Sequence, residues 1–221
     1  NVNIMTVEDP VEYYFSGIRQ VNVDAAAGLS FAAAVRAFLR QDPDVIVVGE
    51  IRDREAAGVA VQAALTGHLV IGTMHTSDSA STFTRLIEMG LEPFLVSSSL
   101  LAVVSQRIVR TICNTCKQPY TPPRELLADL RLDARALKGF SFMKGRGCKD
   151  CGYSGYKGST GIYEMMRLSP AVQEAILKRS SAEELRTIAA GQGCVSLRQA
   201  GVRKLLSGLT TAEEVFRVTL E

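Results

Sequence analysis

Asp44-Val-Ile-Val-Val-Gly-Glu50-Ile-Arg52-Asp53 is the stretch on which the reading of this 221-residue chain turns. Four β-branched residues in a row, Val45–Val48, predict a strand buried on both faces, as strands of parallel sheets are. Gly49 lets the backbone leave the strand closely, and Glu50 then stands at the strand's carboxyl end. An apolar strand that delivers a carboxylate there is the Walker B arrangement, with Glu50 facing the γ-phosphate side of a nucleotide. Four apolar residues before an acid also occur by chance, so the neighbouring segments carry equal weight.

Those segments alternate strand and helix. Asp53 is placed to cap a helix ending at Gly67, and Leu69–Met74 reads as another buried strand. Upstream, Ser30 caps a helix through Leu39, with Phe31, Ala34, Val35 and Phe38 on one face. Asn3–Val7 is a first apolar run, and Gly17–Val23 is an edge strand or a hairpin arm. Strands separated by helices predict a parallel α/β sheet.

In such sheets ligands collect at the carboxyl ends of the strands. Glu8, Asp9 and Glu12 follow the first strand, where carboxylates can hold Mg²⁺ through water or orient an attacking water. The same residues also read as an acidic turn closed by Pro10. His75, Thr76 and Asp78 follow the Leu69 strand, and His75 is placed to read a phosphate or the nucleophilic water. For His75 and for His68, a structural hydrogen bond is the alternative. A phosphate-cradling Gly-x-x-x-x-Gly-Lys-Ser/Thr loop occurs nowhere in the 221 residues. Phosphate affinity rests largely on the N–H groups and lysine of such a loop, so this stretch by itself is expected to bind nucleotide poorly.

Hydrophobic residues make up 47% and charged residues 22%, which excludes a disordered tail and a fibrous repeat. Twenty-five Lys and Arg against 23 Asp and Glu leave +2, too balanced for a generic polyanion binder. The longest uncharged apolar stretch, Pro93–Gln106, is broken by serines and is shorter than the roughly 20 residues of a membrane span. Asn1-Val2-Asn3 lacks the basic start of a signal peptide. The first residue is not Met, and the chain is expected to be a fragment whose start lies upstream.

Four of the five cysteines form two Cys-x-x-Cys pairs, Cys113/Cys116 and Cys148/Cys151. Each pair makes a tight turn that aims two sulfurs at one ion, and four thiolates predict a closed, structural Zn²⁺ site in a reducing compartment. A redox pair is the alternative, and the doubling of the motif opposes it. Cys194 reads as a small buried hydrophobe. Between Arg107 and Lys157 stand eleven Lys/Arg and four Asp/Glu, a local +7 that offsets the thiolates or faces an acidic partner. Few aromatics accompany it, so a nucleic-acid-binding zinc module is the weaker alternative and no nucleic acid is expected. From Ser169 onward the pattern is helical. Ser181-Ala-Glu-Glu184 and Thr211-Ala-Glu-Glu214 read as capping boxes, and Gly208 stands where a helix stops.

Taken together, these residues resemble the type II secretion and type IV pilus assembly ATPases. Leu39–Asp53 matches that family's signature across its length, Thr6–Glu12 its Asp box, and Leu65–Val70 with His75-Thr76 its His box. Gln106–Arg110, the four cysteines, Gly161–Glu164 and Gly208–Val215 fit as well. The resemblance implies an α/β fold: part of a RecA-like P-loop NTPase domain over residues 1–110, a tetracysteine zinc module over 111–158, and a C-terminal helical subdomain over 159–221. It implies a homohexameric motor on the cytoplasmic face of the inner membrane, using ATP, Mg²⁺ and Zn²⁺. The motor would drive pseudopilus assembly and type II secretion through inner-membrane platform and adaptor proteins. A type IV pilus assembly ATPase and a truncated, inactive remnant are the alternatives. Carried over, Glu50 positions or activates water, Glu8, Asp9 and Glu12 lie near Mg²⁺ and the γ-phosphate, and His75 belongs to the His box. Arg36, Arg40, Arg52 and Arg85 are candidates for phosphate sensing. The family's phosphate loop and N-terminal domain are expected before Asn1. The family's phosphate-loop strand is internal to its sheet, so the stretch alone is expected to be marginally stable. Ser159, Asn114 and Ala200 depart from the family's usual Arg, Pro and acidic residue, away from the proposed chemistry.

Overall fold

A computed structural model describes residues 2–132, 137 and 139–220. They form two compact units, one built from residues 1–103 and 166–189, the other from 104–165 and 190–221.

The first unit opens with β1 (Ile4–Glu8) and β2 (Ile18–Asn22), followed by α1 (Phe31–Phe38), β3 (Val45–Val48), α2 (Arg54–Leu65) and β4 (Leu69–Gly72). The strands form one parallel sheet in the order β2-β1-β3-β4. Pairing in parallel settles β2 as an edge strand, since a hairpin arm would run antiparallel. Ser30 and Asp53 cap α1 and α2, accepting hydrogen bonds from the Ala33 and Ala56 N–H groups. Met5, Val7, Ile46 and Val48 face α1 and α2 and, with Ala34, Val35, Phe38 and Ala60, form the core of this unit. Each fully buried Val, Ile or Phe there stabilises by roughly 1.5–3 kcal/mol.

Burial corrects two expectations. In β3 it alternates: Ile46 and Val48 are buried, whereas Val45 and Val47 are half-covered, because both helices lie on the same face of the sheet. In β4 only Val70 packs into the core, and Leu69 and Ile71 are 47% and 50% exposed. β4 is an edge strand among the described residues, so its outer face has no cover. It also ends at Gly72, two residues before the expected Met74.

α3 (Ser79–Glu88) and α4 (Pro93–Ser99) complete the first run. The apolar segment from Pro93 thus divides between a short helix and a strand. No helix among the described residues is long and apolar enough to cross a membrane.

The second unit contains most of β5 (Ala102–Ile112) and of β8 (Tyr156–Arg167), with β6 (Lys117–Tyr120), α5 (Arg124–Asp129), β7 (Phe142–Gly145) and a 3₁₀ turn at Lys149–Cys151 between them. β5 pairs with β8, and β6 pairs antiparallel with β7. Asp133, Arg135 and Lys138 of the basic segment lie outside the described residues. The chain then adds α6 (Pro170–Leu177) and most of α7 (Ala182–Gly191) to the first unit. Gln173 Nε2 on α6 donates to the Ser97 carbonyl at 3.2 Å. α8 (Leu197–Leu206) and α9 (Ala212–Val218) belong to the second unit, where Leu205, Ala212 and Val215 pack on Leu127, Leu130 and Phe142.

Candidate functional site

Parallel pairing of β1, β3 and β4 brings their carboxyl ends to one edge of the sheet. β1 ends at Glu8, β3 is followed by Gly49 and Glu50, and β4 by Thr73, Met74 and His75. The exits are stitched together. The Gly49 N–H donates to the Val7 carbonyl at 2.8 Å, and the Ile51 N–H donates to the Thr73 carbonyl at 2.9 Å. The Thr73 hydroxyl returns a hydrogen bond to the Gly49 carbonyl. A Cβ at Gly49 would stand 3.0 Å from the Val7 carbonyl oxygen and 3.1 Å from the Glu8 Cα. Only glycine lets β3 leave the sheet this close to β1.

Glu50 is the centre of the arrangement. Its side chain is 16% exposed, and its two oxygens are divided between Arg52 Nη2 at 2.6 Å and His75 Nε2 at 3.3 Å. The Arg52 hydrogen bond, with the nearby His75, holds the Glu50 carboxyl below its usual range. Glu50 is therefore a carboxylate at neutral pH, ready to accept a hydrogen bond from water. Its partners face solvent: Arg52 is 60% and His75 89% exposed at the side chain.

A cleft of about 440 Å³ opens beside Glu50. Glu8, Asp9, Glu12, Glu50 and Arg52 line it, with Phe31 and Val47 among its apolar walls. Glu8 accepts from the Thr6 hydroxyl and from Gln20 Nε2, which fixes its carboxylate toward the sheet. Asp9 and Glu12 stand at the exposed rim. The structure thus gathers Glu8, Asp9, Glu12, Glu50, Arg52 and His75, contributed by segments up to 67 residues apart. Arg36, Arg40 and Arg85 are not in this group. Arg36 pairs with Glu55 at 2.8 Å, Arg40 donates to the Arg36 carbonyl, and Arg85 faces Glu88 at 3.7 Å. His68 lies against the Ala63 carbonyl at 2.9 Å, in the structural role that was its alternative.

In the second unit, the sulfurs of Cys113, Cys116, Cys148 and Cys151 all lie within 4.8 Å of one another. Cys113–Cys148 and Cys116–Cys151 are each 3.9 Å apart, and Cys148–Cys151 is 3.8 Å. Sulfurs bound at roughly 2.3 Å to one tetrahedral ion stand about 3.8 Å from each other. A disulfide needs about 2.05 Å, so the four sulfurs are unbonded here, and their mutual spacing fits one zinc ion. Burial opposes ionisation of Cys151, but the Cys148 and Gly155 N–H groups overcome it and bring this thiol down to about 6. The turn that delivers these N–H groups requires two glycines in contact. A Cβ at Gly145 would fall 2.0 Å from the Gly155 carbonyl oxygen.

Two polar pairings escape sequence reasoning. Glu214 does not close a capping box at Thr211: its amide donates to the Thr211 hydroxyl, which serves as the N-cap, but its carboxylate turns to Arg110 and Arg217. Ser181 and Glu184 do form the reciprocal box, and Ser196 with Gln199 forms another at the start of α8. Asp78 caps α3 and also accepts from Arg186 Nε at 2.6 Å. The cap is legible in the spacing from Asp78 to Ser81. Nothing in the sequence marks its pairing with an arginine 108 residues on.

The model of the family described as "Type II/IV secretion system protein" matches residues 1–217. The chain is 50% identical over 219 residues to the type IV pilus assembly ATPase PilB of Thermus thermophilus, covering 99% of this chain and 25% of that protein. It is 49% identical over 219 residues to the type II secretion system protein E of Pseudomonas aeruginosa, covering 99% of this chain and 43% of that protein. It therefore spans less than half the length of these relatives. Among solved structures, the pilus retraction motor PilT with bound ADP superposes with a TM-score of 0.69 at 25% identity, over 99% of this chain and 53% of that one. The Legionella pneumophila ATPase DotB shares the fold, with a TM-score of 0.68 at 21% identity over 99% of this chain and 51% of that one. The α/β architecture is RecA-like, with a four-cysteine cluster whose donors suit zinc. The chain belongs to the type II/IV secretion system protein family.

Proposed function

We propose that this chain is the C-terminal portion of a cytoplasmic motor ATPase that couples ATP hydrolysis to pseudopilus assembly and type II protein secretion. The observation that carries the reading is Glu50 at the end of β3, held between Arg52 and His75 beside the carboxylates of Glu8, Asp9 and Glu12. In this reading Glu50 accepts a hydrogen bond from the attacking water and aligns it with the γ-phosphate. Glu8, Asp9 and Glu12 hold Mg²⁺, largely through its waters. His75 and Arg52 fix the Glu50 carboxylate in the ground state, and their exposure leaves them able to turn toward phosphate oxygens. Arg36, Arg40 and Arg85 are reserve phosphate sensors that would have to break their present pairings.

The chain holds no phosphate loop, and without one supplied by the rest of the protein it is expected not to turn over ATP. This reading carries with it a peripheral place on the inner membrane, a homohexamer, and platform and adaptor proteins as partners. The three-part division at residues 110 and 158 accompanies this reading. So does a structural zinc held by Cys113, Cys116, Cys148 and Cys151, which ties the Cys113–Cys116 turn to the Cys148–Cys151 turn and takes no part in hydrolysis.

The test is turnover by the full-length protein. Glu50→Gln keeps the side chain's shape and is expected to lower kcat about 100-fold or more with nucleotide affinity retained. Unchanged turnover in that variant would sink the assignment. The pilus reading has one observation of its own, the 50% identity to a pilus assembly ATPase. Complementation of a secretion-deficient and of a pilus-deficient strain separates the two.

A further inference from the structure

Asp78 is the last residue before α3 and stands three positions after His75. An N-cap needs one carboxylate oxygen, and Asp78 Oδ1 accepts the Ser81 N–H at 2.7 Å. Its other oxygen faces inward rather than to water: the side chain is 12% exposed, and Arg186 Nε on α7 donates to Oδ2 at 2.6 Å. A carboxylate this enclosed needs a cation, and the cation comes from α7. The segment between His75 and Asp78 is also held. The Thr76 and Thr82 hydroxyls lie 2.8 Å apart, and the Ser77 hydroxyl donates to the Ser81 hydroxyl at 3.1 Å. Residues 76–78 therefore move with α3, and His75 at their head contacts Glu50 at 3.3 Å.

We propose that Arg186 is a positioning residue of the ATP site: through Asp78 it holds the β4–α3 turn so that His75 reaches Glu50. This rests on the reading of Glu50 and His75 as the hydrolytic site. The argument for it is geometric. β4 ends at Gly72, so six residues, 73–78, separate the strand from α3. Their sheet end is fixed by the Thr73 contacts with Gly49 and Ile51. Their helix end is fixed by Asp78, and the cap alone fixes Asp78 only relative to α3. The Arg186 bond fixes it relative to α7 as well. The coupling is reciprocal, since a displacement of His75 by nucleotide must load the same bond.

The test compares Arg186→Gln, Arg186→Lys and Asp78→Asn in the full-length protein. Asp78→Asn keeps the acceptor that caps α3 and removes the charge that faces Arg186. Hydrogen exchange of residues 73–82 reads the turn directly, with residues 59–68 as the internal reference. Arg186→Gln and Asp78→Asn are expected to speed exchange of 73–82 about tenfold and leave 59–68 unchanged. They are expected to lower kcat about tenfold with KM for ATP changed less than about twofold, and Arg186→Lys is expected to restore both readouts. Exchange that rises only within α7, or a loss of kcat that Arg186→Lys does not recover, would overturn the proposal. If the unaltered protein shows no ATP turnover, the functional reading fails, and the exchange comparison still decides whether Arg186 holds the turn.

Discussion

Replacing Glu214 by Gln tests how the second unit is held together. The Glu214 carboxylate is 2% exposed and accepts four hydrogen bonds: from the Arg110 amide at 3.0 Å, Arg110 Nη2 at 2.7 Å, Arg217 Nε at 3.0 Å and Arg217 Nη2 at 2.9 Å. Burial opposes its charge, yet the Arg110 and Arg217 bonds prevail and bring the carboxyl from 4.5 down to about 2. That difference corresponds to roughly 3 kcal/mol. The guanidinium partners are 51% and 57% exposed, so water screens them and about 2–3 kcal/mol remains. Gln offers one acceptor oxygen and turns a donor toward whichever pair it abandons, which places the loss in the same range. The sign with pH follows from the lowered value. The stabilisation is complete above the unfolded value near 4.5 and drains away as pH falls toward about 2. Native-state hydrogen exchange of β5 and α9 at pH 7 measures the loss. Repetition at pH 3 and 4 in both proteins isolates Glu214 from the cysteines, whose protonation is common to both. A difference below about 0.5 kcal/mol at pH 7, or one that does not shrink on acidification, would refute the reasoning.

The metal site gives a second expectation: one zinc per chain by atomic absorption, lost in Cys113→Ser and in Cys148→Ser. Gly145→Ala sets a methyl group 2.0 Å from the Gly155 carbonyl oxygen and is expected to lower zinc content without touching a ligand, whereas Gly191→Ala, where a Cβ meets nothing, is the control. Gly72→Ala drives a Cβ to 2.6 Å from Ile51 Cδ1 and is expected to cost about 1–3 kcal/mol in thermal unfolding of the first unit. His75→Ala is expected to raise the Glu50 carboxyl toward its ordinary value, measured as an acid limb of the kcat profile that moves to higher pH.

Much of the first unit was legible because its signals are local. β-branching in Val45–Val48, the Ser30 and Asp53 caps and the glycine after α2 each act within a few residues, and the observed elements follow them. Exposure was not legible. Leu69–Gly72 has three apolar side chains against four in β3, but its place at the edge of the described sheet leaves Leu69 and Ile71 uncovered. No property of the strand itself encodes its neighbours. The same holds for β2, whose parallel pairing depends on the path of residues 9–17 and not on its own pattern.

The candidate site divides along the same line. Glu8, Glu50 and His75 could be found because parallel topology turns position along each strand into position in space: every carboxyl end meets the others at one edge. The cysteines could be found because two short turns and one tetrahedral ion suffice to bring four sulfurs together. Arginines follow neither rule. Their long side chains reach whatever carboxylate the tertiary structure leaves near, so Arg36 and Arg85 are taken up by Glu55 and Glu88 on the surface. Arg186 and Arg110 instead reach the enclosed carboxylates of Asp78 and Glu214. The capping pattern from Thr211 to Glu214 shows the limit most sharply. Its spacing is correct, and the amide of Glu214 obeys it, but two guanidinium groups compete for the side chain and win. A capping box would offer this carboxylate one backbone N–H, whereas the two guanidinium groups offer three N–H donors that each carry positive charge, so here the local rule yields to cations that arrive from elsewhere.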